Sequence, residues 1–321
     1  MKNKLSPYKS LVMTHADFDG IASLINVYNI VEAPEKNFQY YAADYHTIDK
    51  ILQKIQKDTF DLLWILDLNL TKAQVDMLGQ LTSYKKIIWI DHHHYEYDVK
   101  QYIKDKQILD CVFIHDETIS ACLATNNFIE YNWPNAHETC KEFCKLGDIY
   151  DMWRTDNSRF NEAYAINDLY WEYKYEKFFN IFKDGYKLLP EDKALMLSIH
   201  NERKAYEEDT INNYSQFNEE FGIVYVLNPA CKHVNHITLT IPNNFFVILK
   251  YITETSIGYS IRIYDPNFDL TLQDVFAIIK KSGTNVINSG GHSKVGGIQV
   301  ALEDNQKFLE TINTIFERKL K

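Results

Sequence analysis

No apolar stretch of the 321-residue chain approaches the length of a membrane span. Its first residues, Met1-Lys2-Asn3-Lys4, run into a strand-like segment without the apolar core of a signal peptide. Together these absences lead to the expectation of a soluble, cytoplasmic protein. Cysteine is scarce and poorly spaced for chemistry: Cys111, Cys122, Cys140, Cys144 and Cys231 are an odd number without metal-type pairing. Cys140 and Cys144 would share a face of a helix, and reduced buried thiols are expected in place of disulfides or a zinc site. Positive charge is also short, with 34 Lys and Arg against 44 Asp and Glu, a formal net charge of −10. Non-specific grip on nucleic acid comes from cations neutralising phosphates, so a long duplex is not an expected partner. A short phosphate ester held by a metal site suits this charge better.

The hydrophobic content of 45% is ordinary for a globular protein and supports a substantial core. The length suits two domains or one large one. The 22 tyrosines and 18 phenylalanines could offer base-stacking platforms, but at this abundance most are core and surface filler.

The densest chemistry lies at Trp89-Ile90-Asp91-His92-His93-His94, where the apolar run Ile87 to Ile90 ends in a carboxylate and three imidazoles. Such runs read as strands of a parallel sheet buried on both faces, and ligands collect beyond the carboxyl ends of those strands. Asp and His together suit Mn²⁺, Fe²⁺, Co²⁺ or Zn²⁺. A similar pattern opens the chain. The strand Ser10 to Met13 leads into Thr14-His15-Ala16-Asp17-Phe18-Asp19-Gly20 and then an apolar helix from Ile21. Two carboxylates and an imidazole within five residues repel or compete unless cations neutralise them, although a helix N-cap would also favour Asp there. A further buried strand, Asp61 to Leu66, ends in Asp67. Strand-like runs that each end in an acid, with helices between them, indicate an α/β domain whose carboxylates meet along one sheet edge. A strand is also expected over Ile108 to Ile114, with helices over Thr118 to Tyr131 and His137 to Leu146. Asp148 follows the second helix and a glycine and can turn toward that edge, while Asp151, Asp156 and Asp168 read as solvated.

Residues 161–213 read as helical, aromatic and charged, without a catalytic constellation. Beyond them the composition shifts to β-branched and aromatic strands over Phe221 to Leu227, Phe245 to Ile252 and Ile257 to Tyr264. A helix over Leu272 to Lys281 precedes the cluster Asn288-Ser289-Gly290-Gly291-His292-Ser293-Lys294-Val295-Gly296-Gly297. Four of the 11 glycines fall there, so the backbone approaches something closely or takes positive φ, as in a tight turn. A strand over Ile298 to Leu302 and a helix over Asn305 to Lys319 complete a smaller α+β domain. Arg262, mid-strand, is the candidate anion partner.

With these pieces assembled, the chain resembles the DHH phosphoesterase superfamily over nearly its whole length. His15-x-Asp17-x-Asp19-Gly20 is similar to the family's first motif as seen in RecJ-type and some nanoRNase members, Asp67 to the second, Asp91-His92-His93 to the name-giving third and Asp148 to the fourth. The glycine cluster is similar to the Gly-Gly-Gly-His signature of the DHH-associated C-terminal domain, with Ser289 in place of the first glycine. The resemblance implies a parallel-sheet catalytic domain over 1–155, a helical connector over 156–215 and a substrate-binding domain over 216–321. It also implies two divalent cations, Mn²⁺ first, with Mg²⁺ or Co²⁺ as substitutes. His15, Asp17 and Asp67 would hold one cation, and Asp19, Asp67, His92 and Asp148 the other. His93 would contact the scissile phosphate, Asp91 would orient a neighbour, and Arg262, Ser289, Gly290, Gly291 and His292 would contact substrate.

A haloacid-dehalogenase-type phosphatase is the rival fold, but it leaves Asp91-His92-His93 and the glycine cluster unexplained. Within the resemblance, the leading expectation is hydrolysis of short single-stranded oligonucleotides, nanoRNase-like, to nucleoside monophosphates. Competing substrates are cyclic or linear dinucleotides and 3′-phosphoadenosine 5′-phosphate. A RecJ-type exonuclease on long strands and a catalytically silent binding protein stand behind them. No membrane partner is expected, and a homodimer stays open.

Overall fold

The computed structural model describes residues 8–82, 84–108, 110–134, 138–218, 222–227, 237–238, 245–265, 268–291 and 293–317. The chain divides into two compact units, Met1–Ser198 and Ile199–Lys321, with the division inside a long helix.

In the first unit, strands β1 (Ser10–His15), β2 (Phe38–Ala43), β3 (Leu62–Leu66), β4 (Lys86–Asp91) and β5 (Cys111–His115) form a parallel sheet in the order β2-β1-β3-β4-β5. Helices α1 (Phe18–Ile30), α2 (Pro34–Asn37), α3 (Ile48–Ile55), α4 (Lys72–Gly79), α5 (Val99–Asp105), α6 (Ala121–Asn132), α7 (Glu138–Asp151), α8 (Phe160–Phe182) and α9 (Pro190–Tyr214) connect and follow the strands. The central strands carry continuous apolar runs, Leu62 to Leu66 in β3 and Ile87 to Ile90 in β4, because both faces are covered. Leu63, Ile65, Ile87 and Trp89 join one core with α3, α4 and α5, while Trp64, Leu66, Ile88 and Ile90 join another with α1, α6, α7 and α8. Thus α8, expected as a connector, supplies Phe160, Phe178 and Phe182 to the first unit's core. Edge strand β2 was not expected: its positions are mostly half-exposed, so it carries no continuous apolar run.

Two local features aim the sheet edge. Helix α4 starts sharply at a capping box in which Thr71 and Gln74 exchange side chain–backbone bonds. Helix α1 packs so close to the end of β1 that a Cβ at Gly20 would lie 2.1 Å from the His15 carbonyl oxygen, so no larger residue fits there.

The second unit holds a six-stranded sheet of β6 (Ser215–Asn218), β7 (Ile223–Val226), β8 (Phe245–Ile252), β9 (Ser256–Ile263), β10 (Val286–Gly291) and β11 (Val295–Ala301), ordered β10-β11-β9-β8-β7-β6. Helices α10 (Leu272–Lys281) and α11 (Asn305–Glu317) pack on one face through Phe276, Ile279, Phe308 and Phe316 against Tyr259, Ile261 and Val300. The glycine cluster, expected as a turn ahead of a strand, lies within the paired strands β10 and β11, where Gly290 faces Gly297 and Gly291 faces Gly296. Gly291 has a φ of 134°, and a Cβ there would lie 2.4 Å from the Gly296 Cα. Close approach of two backbones explains those glycines.

Among the described residues, no helix is long and apolar enough to cross a membrane. Cys111, Cys122, Cys140 and Cys144 are free thiols.

Candidate metal centre

The carboxyl ends of β1, β3 and β4 bring the predicted side chains together. At the end of β1, His15 Nδ1 lies 2.8 Å from Asp17 Oδ2 and 3.6 Å from Asp67 Oδ2. Asp17 is also the N-cap of α1, its Oδ1 accepting the Gly20 N–H at 2.9 Å, which leaves Oδ2 to face the histidine. The Tyr170 hydroxyl donates to the Ala16 carbonyl at 2.6 Å and clamps this loop from α8.

Asp67 takes a left-handed backbone, φ 57°, directly after β3. Asp tolerates this region better than most residues, and the turn drives its carboxylate back over the sheet edge. Its N–H is held by the Ile90 carbonyl at 2.9 Å, and the Trp89 indole holds the next carbonyl, that of Leu68, at 3.0 Å. Asp67 Oδ1 lies 3.4 Å from His92 Nε2 and 3.7 Å from His93 Nδ1. Both Asp67 oxygens are buried and make no hydrogen bond among the described residues.

Asp91 is fully buried and accepts from His93 Nδ1 at 2.8 Å and from the Tyr95 hydroxyl. It therefore orients His93 through Nδ1.

The structure places one predicted ligand away from the others. Helix α7 does not stop at Leu146 but continues through Gly147 to Asp151. A Cβ at Gly147 would lie 2.6 Å from Cys122 Sγ, so glycine serves close helix packing here and does not break the helix. Asp151 lies one turn beyond Gly147, on the same face, and its Oδ2 is 3.4 Å from His92 Nε2. Asp148 points elsewhere: it accepts the Ser120 N–H at 2.8 Å and pairs with Arg154 Nε at 2.7 Å. Asp151, expected in solvent, thus stands where Asp148 was expected. The Gly147-to-Asp151 spacing becomes a signal only once α7 is seen to run through Gly147.

Asp19 completes that group. It is buried, 3.8 Å from His92 Nε2, and its two oxygens accept the Ala121 and Cys122 N–H groups at 2.8 Å each. These amides open α6, whose N-terminal dipole favours an anion. Three sets of side chains hold donor atoms close enough for a shared cation: His15, Asp17 and Asp67; Asp19, His92 and Asp151; and Asp67, His92 and His93. This donor set fits divalent cations of the Mn²⁺ or Zn²⁺ type, and the unbonded Asp67 oxygens and Asp151 Oδ2 are buried atoms that such cations would satisfy.

The electrostatics agree with a site built for positive charge. Burial works against a charge on His15, yet Asp17 and Asp67 outweigh it and raise its pKa to about 12. For His92 burial is likewise outweighed by Asp67, Asp151 and Asp19, raising its pKa to about 11. His93, opposed by burial and supported by Asp91, is raised to about 9. Burial would push Asp67 up, but the imidazoles hold it far below the carboxylate range. Asp19 is raised by burial and by Asp67, and Asp151 by burial to about 6, even with His92 drawing it down. In the cation-free chain, protons on the histidines therefore neutralise the carboxylates. Their stabilisation is complete below the ordinary value of 6.5 and is lost as pH rises through about 9 for His93 and later for the others. Chelated protein is expected to lose on the order of 5 °C in Tm between pH 6.5 and 9, and Mn²⁺ to abolish the loss, as thermal melts would measure. A flat profile in chelator would mean that the histidines are neutral.

In the second unit, Arg262 is buried in β9, opposite Phe246 and Val295. Ser289 is half-buried, Gly290 and Gly291 are exposed, and a side chain at Gly290 would meet nothing within 4 Å. His292 lies outside the described residues.

Residues 9–147 match the profile of the family described as DHH family, N-terminal domain. Among solved structures, the chain is similar to the DHH domain of a protein described as a member of a family of ribosomal proteins. The identity is 15% and the TM-score 0.68, over 97% of this chain and 86% of that one. It is also similar to RecJ from Thermus thermophilus in complex with Mn²⁺ (12% identity, TM-score 0.60), over 97% of this chain but 52% of that one. Exonuclease RecJ bound to manganese gives 12% identity and a TM-score of 0.56, over 98% and 92% of the two chains. At these identities the likeness is one of fold. No curated protein matches the chain significantly.

Proposed function

From the match of residues 9–147 to the DHH family N-terminal domain, we propose that this protein is a two-metal phosphoesterase that cleaves short single-stranded oligonucleotides to nucleoside monophosphates. The observation that carries the reading is Asp67, a buried carboxylate with no hydrogen bond of its own among the described residues, shared between two prospective ligand sets. His15, Asp17 and Asp67 would hold one cation, and Asp19, His92, Asp67 and Asp151 the other. Bound cations would supply a nucleophilic water at neutral pH and offset the charge that grows on the phosphoryl group.

The remaining chemistry belongs to the chain. Asp91 takes His93 Nδ1, so the protonated imidazole presents Nε2–H to a phosphoryl oxygen as charge develops there. Arg262 is proposed to grip a substrate phosphate, together with Ser289 and the backbone of Gly290 and Gly291, in the role of a DHH-associated domain. The net charge of −10 supports a short substrate over a long one.

The likeness to RecJ favours a second reading, a single-strand exonuclease. A panel with Mn²⁺ separates the two: a 5′-labelled dinucleotide, a short oligomer, a long single strand, a cyclic dinucleotide and 3′-phosphoadenosine 5′-phosphate. Turnover of the dinucleotide and short oligomer at least ~10-fold faster than the long strand is expected. Preference for the long strand would establish the exonuclease reading, and turnover of the cyclic or bisphosphate compound alone would replace the substrate and keep the chemistry.

A further inference from the structure

Tyr45 was singled out by no motif. It sits in the turn after β2, where Thr47 Oγ1 accepts the Asp44 N–H at 2.9 Å and donates to the Asp44 carbonyl at 2.8 Å. The end of β2 is tied to the first motif's loop by the Ala16 N–H, which donates to the Ala43 carbonyl at 3.1 Å. This short, doubly pinned turn leans the Tyr45 ring on His15, centroids 5.3 Å apart, and sets it edge-on to His93 at 6.3 Å. The residue is 48% exposed, yet its hydroxyl turns inward and lies 3.4 Å from His93 Nε2.

That distance is long for an O–H···N bond, so the two groups hold each other only weakly. Both border the edge where the candidate ligands converge.

We propose that Tyr45 is a catalytic residue, donating its hydroxyl hydrogen to a non-bridging phosphoryl oxygen beside His93 Nε2. The inference rests on the phosphoesterase reading and extends it by a second, metal-independent donor to the phosphoryl group. It implies a substrate phosphate that enters on the β2 side of the sheet edge.

Tyr45→Phe keeps the ring and removes only the donor. On the fastest substrate of the panel, kcat is expected to fall about 10- to 100-fold with KM changed less than about threefold. Inhibition by orthovanadate, which adopts the geometry of the transferring group, should weaken by a similar factor. Mn²⁺ affinity, measured by calorimetry, and Tm should not move. Wild-type rates and vanadate inhibition in Tyr45→Phe would overturn the inference while leaving the phosphoesterase reading standing. Loss of Mn²⁺ affinity in that variant would also overturn it, assigning Tyr45 to support of His15. A wild-type protein that turns over none of the panel removes the reading and this inference together.

Discussion

Asp67→Asn is expected to lower phosphoesterase activity by at least on the order of 10³-fold, about 4 kcal/mol of barrier, while the chain stays folded. The substitution is unusually clean. Asn accepts the left-handed backbone at φ 57° as readily as Asp does, so the turn after β3 survives. The shape of the side chain is kept and one charge is lost, that which faces His15, His92 and His93. Without it the imidazoles lose a shared counter-charge and any cations lose their bridging ligand. Calorimetry should record the loss of both Mn²⁺ sites, not one. Asp67→Ala adds backbone strain of about 1 kcal/mol, so comparing the Tm of the two variants separates strain from charge. Retention of full activity in Asp67→Asn would end the two-metal reading.

The second large effect is a contrast between two carboxylates three residues apart. Asp151→Asn is expected to reduce activity by on the order of 10²-fold or more and to remove one Mn²⁺ per chain, with little change in Tm. Asp148→Asn is expected to keep both Mn²⁺ and to destabilise the chain by about 1–3 kcal/mol. Its carboxylate carries the Ser120 N–H and Arg154, and Arg154 in turn holds the Thr118 carbonyl at 3.0 Å. Stoichiometry from calorimetry and Tm from melts decide the matter. The opposite pattern would return the ligand role to Asp148.

The contrast also shows what could be read from the residues alone. Runs such as Leu62 to Leu66 and Ile87 to Ile90 are apolar at every position because helices cover both faces, and that continuity identified the parallel sheet and its acid-bearing edge. Asp151 escaped because Gly147 reads as a stop, whereas its lack of a side chain is what lets α7 approach Cys122. The need for that glycine is tertiary, and no local periodicity records it. Strand β2 escaped for the opposite reason, as an edge strand with mixed exposure. Tyr170 reaches the Ala16 carbonyl across 154 residues, and Tyr45 reaches His93 across 48, distances over which spacing carries no signal. The glycine cluster was legible as a place of close backbone approach, but its pairing in β10 and β11 needed the register.

One feature of α6 offers a way to watch the site without disturbing it. The amides of Ala121 and Cys122 each bond one oxygen of Asp19, and among the described residues no other side chain accepts from them. Whatever draws electron density from the Asp19 carboxylate must loosen or polarise both bonds, so their nitrogen and proton resonances form a built-in gauge. Titrated with a diamagnetic cation such as Mg²⁺, the two resonances would report filling of the Asp19 side separately from the His15 side. The order in which the two halves load then becomes readable from the backbone, in a chain that carries no substitution and turns over no substrate.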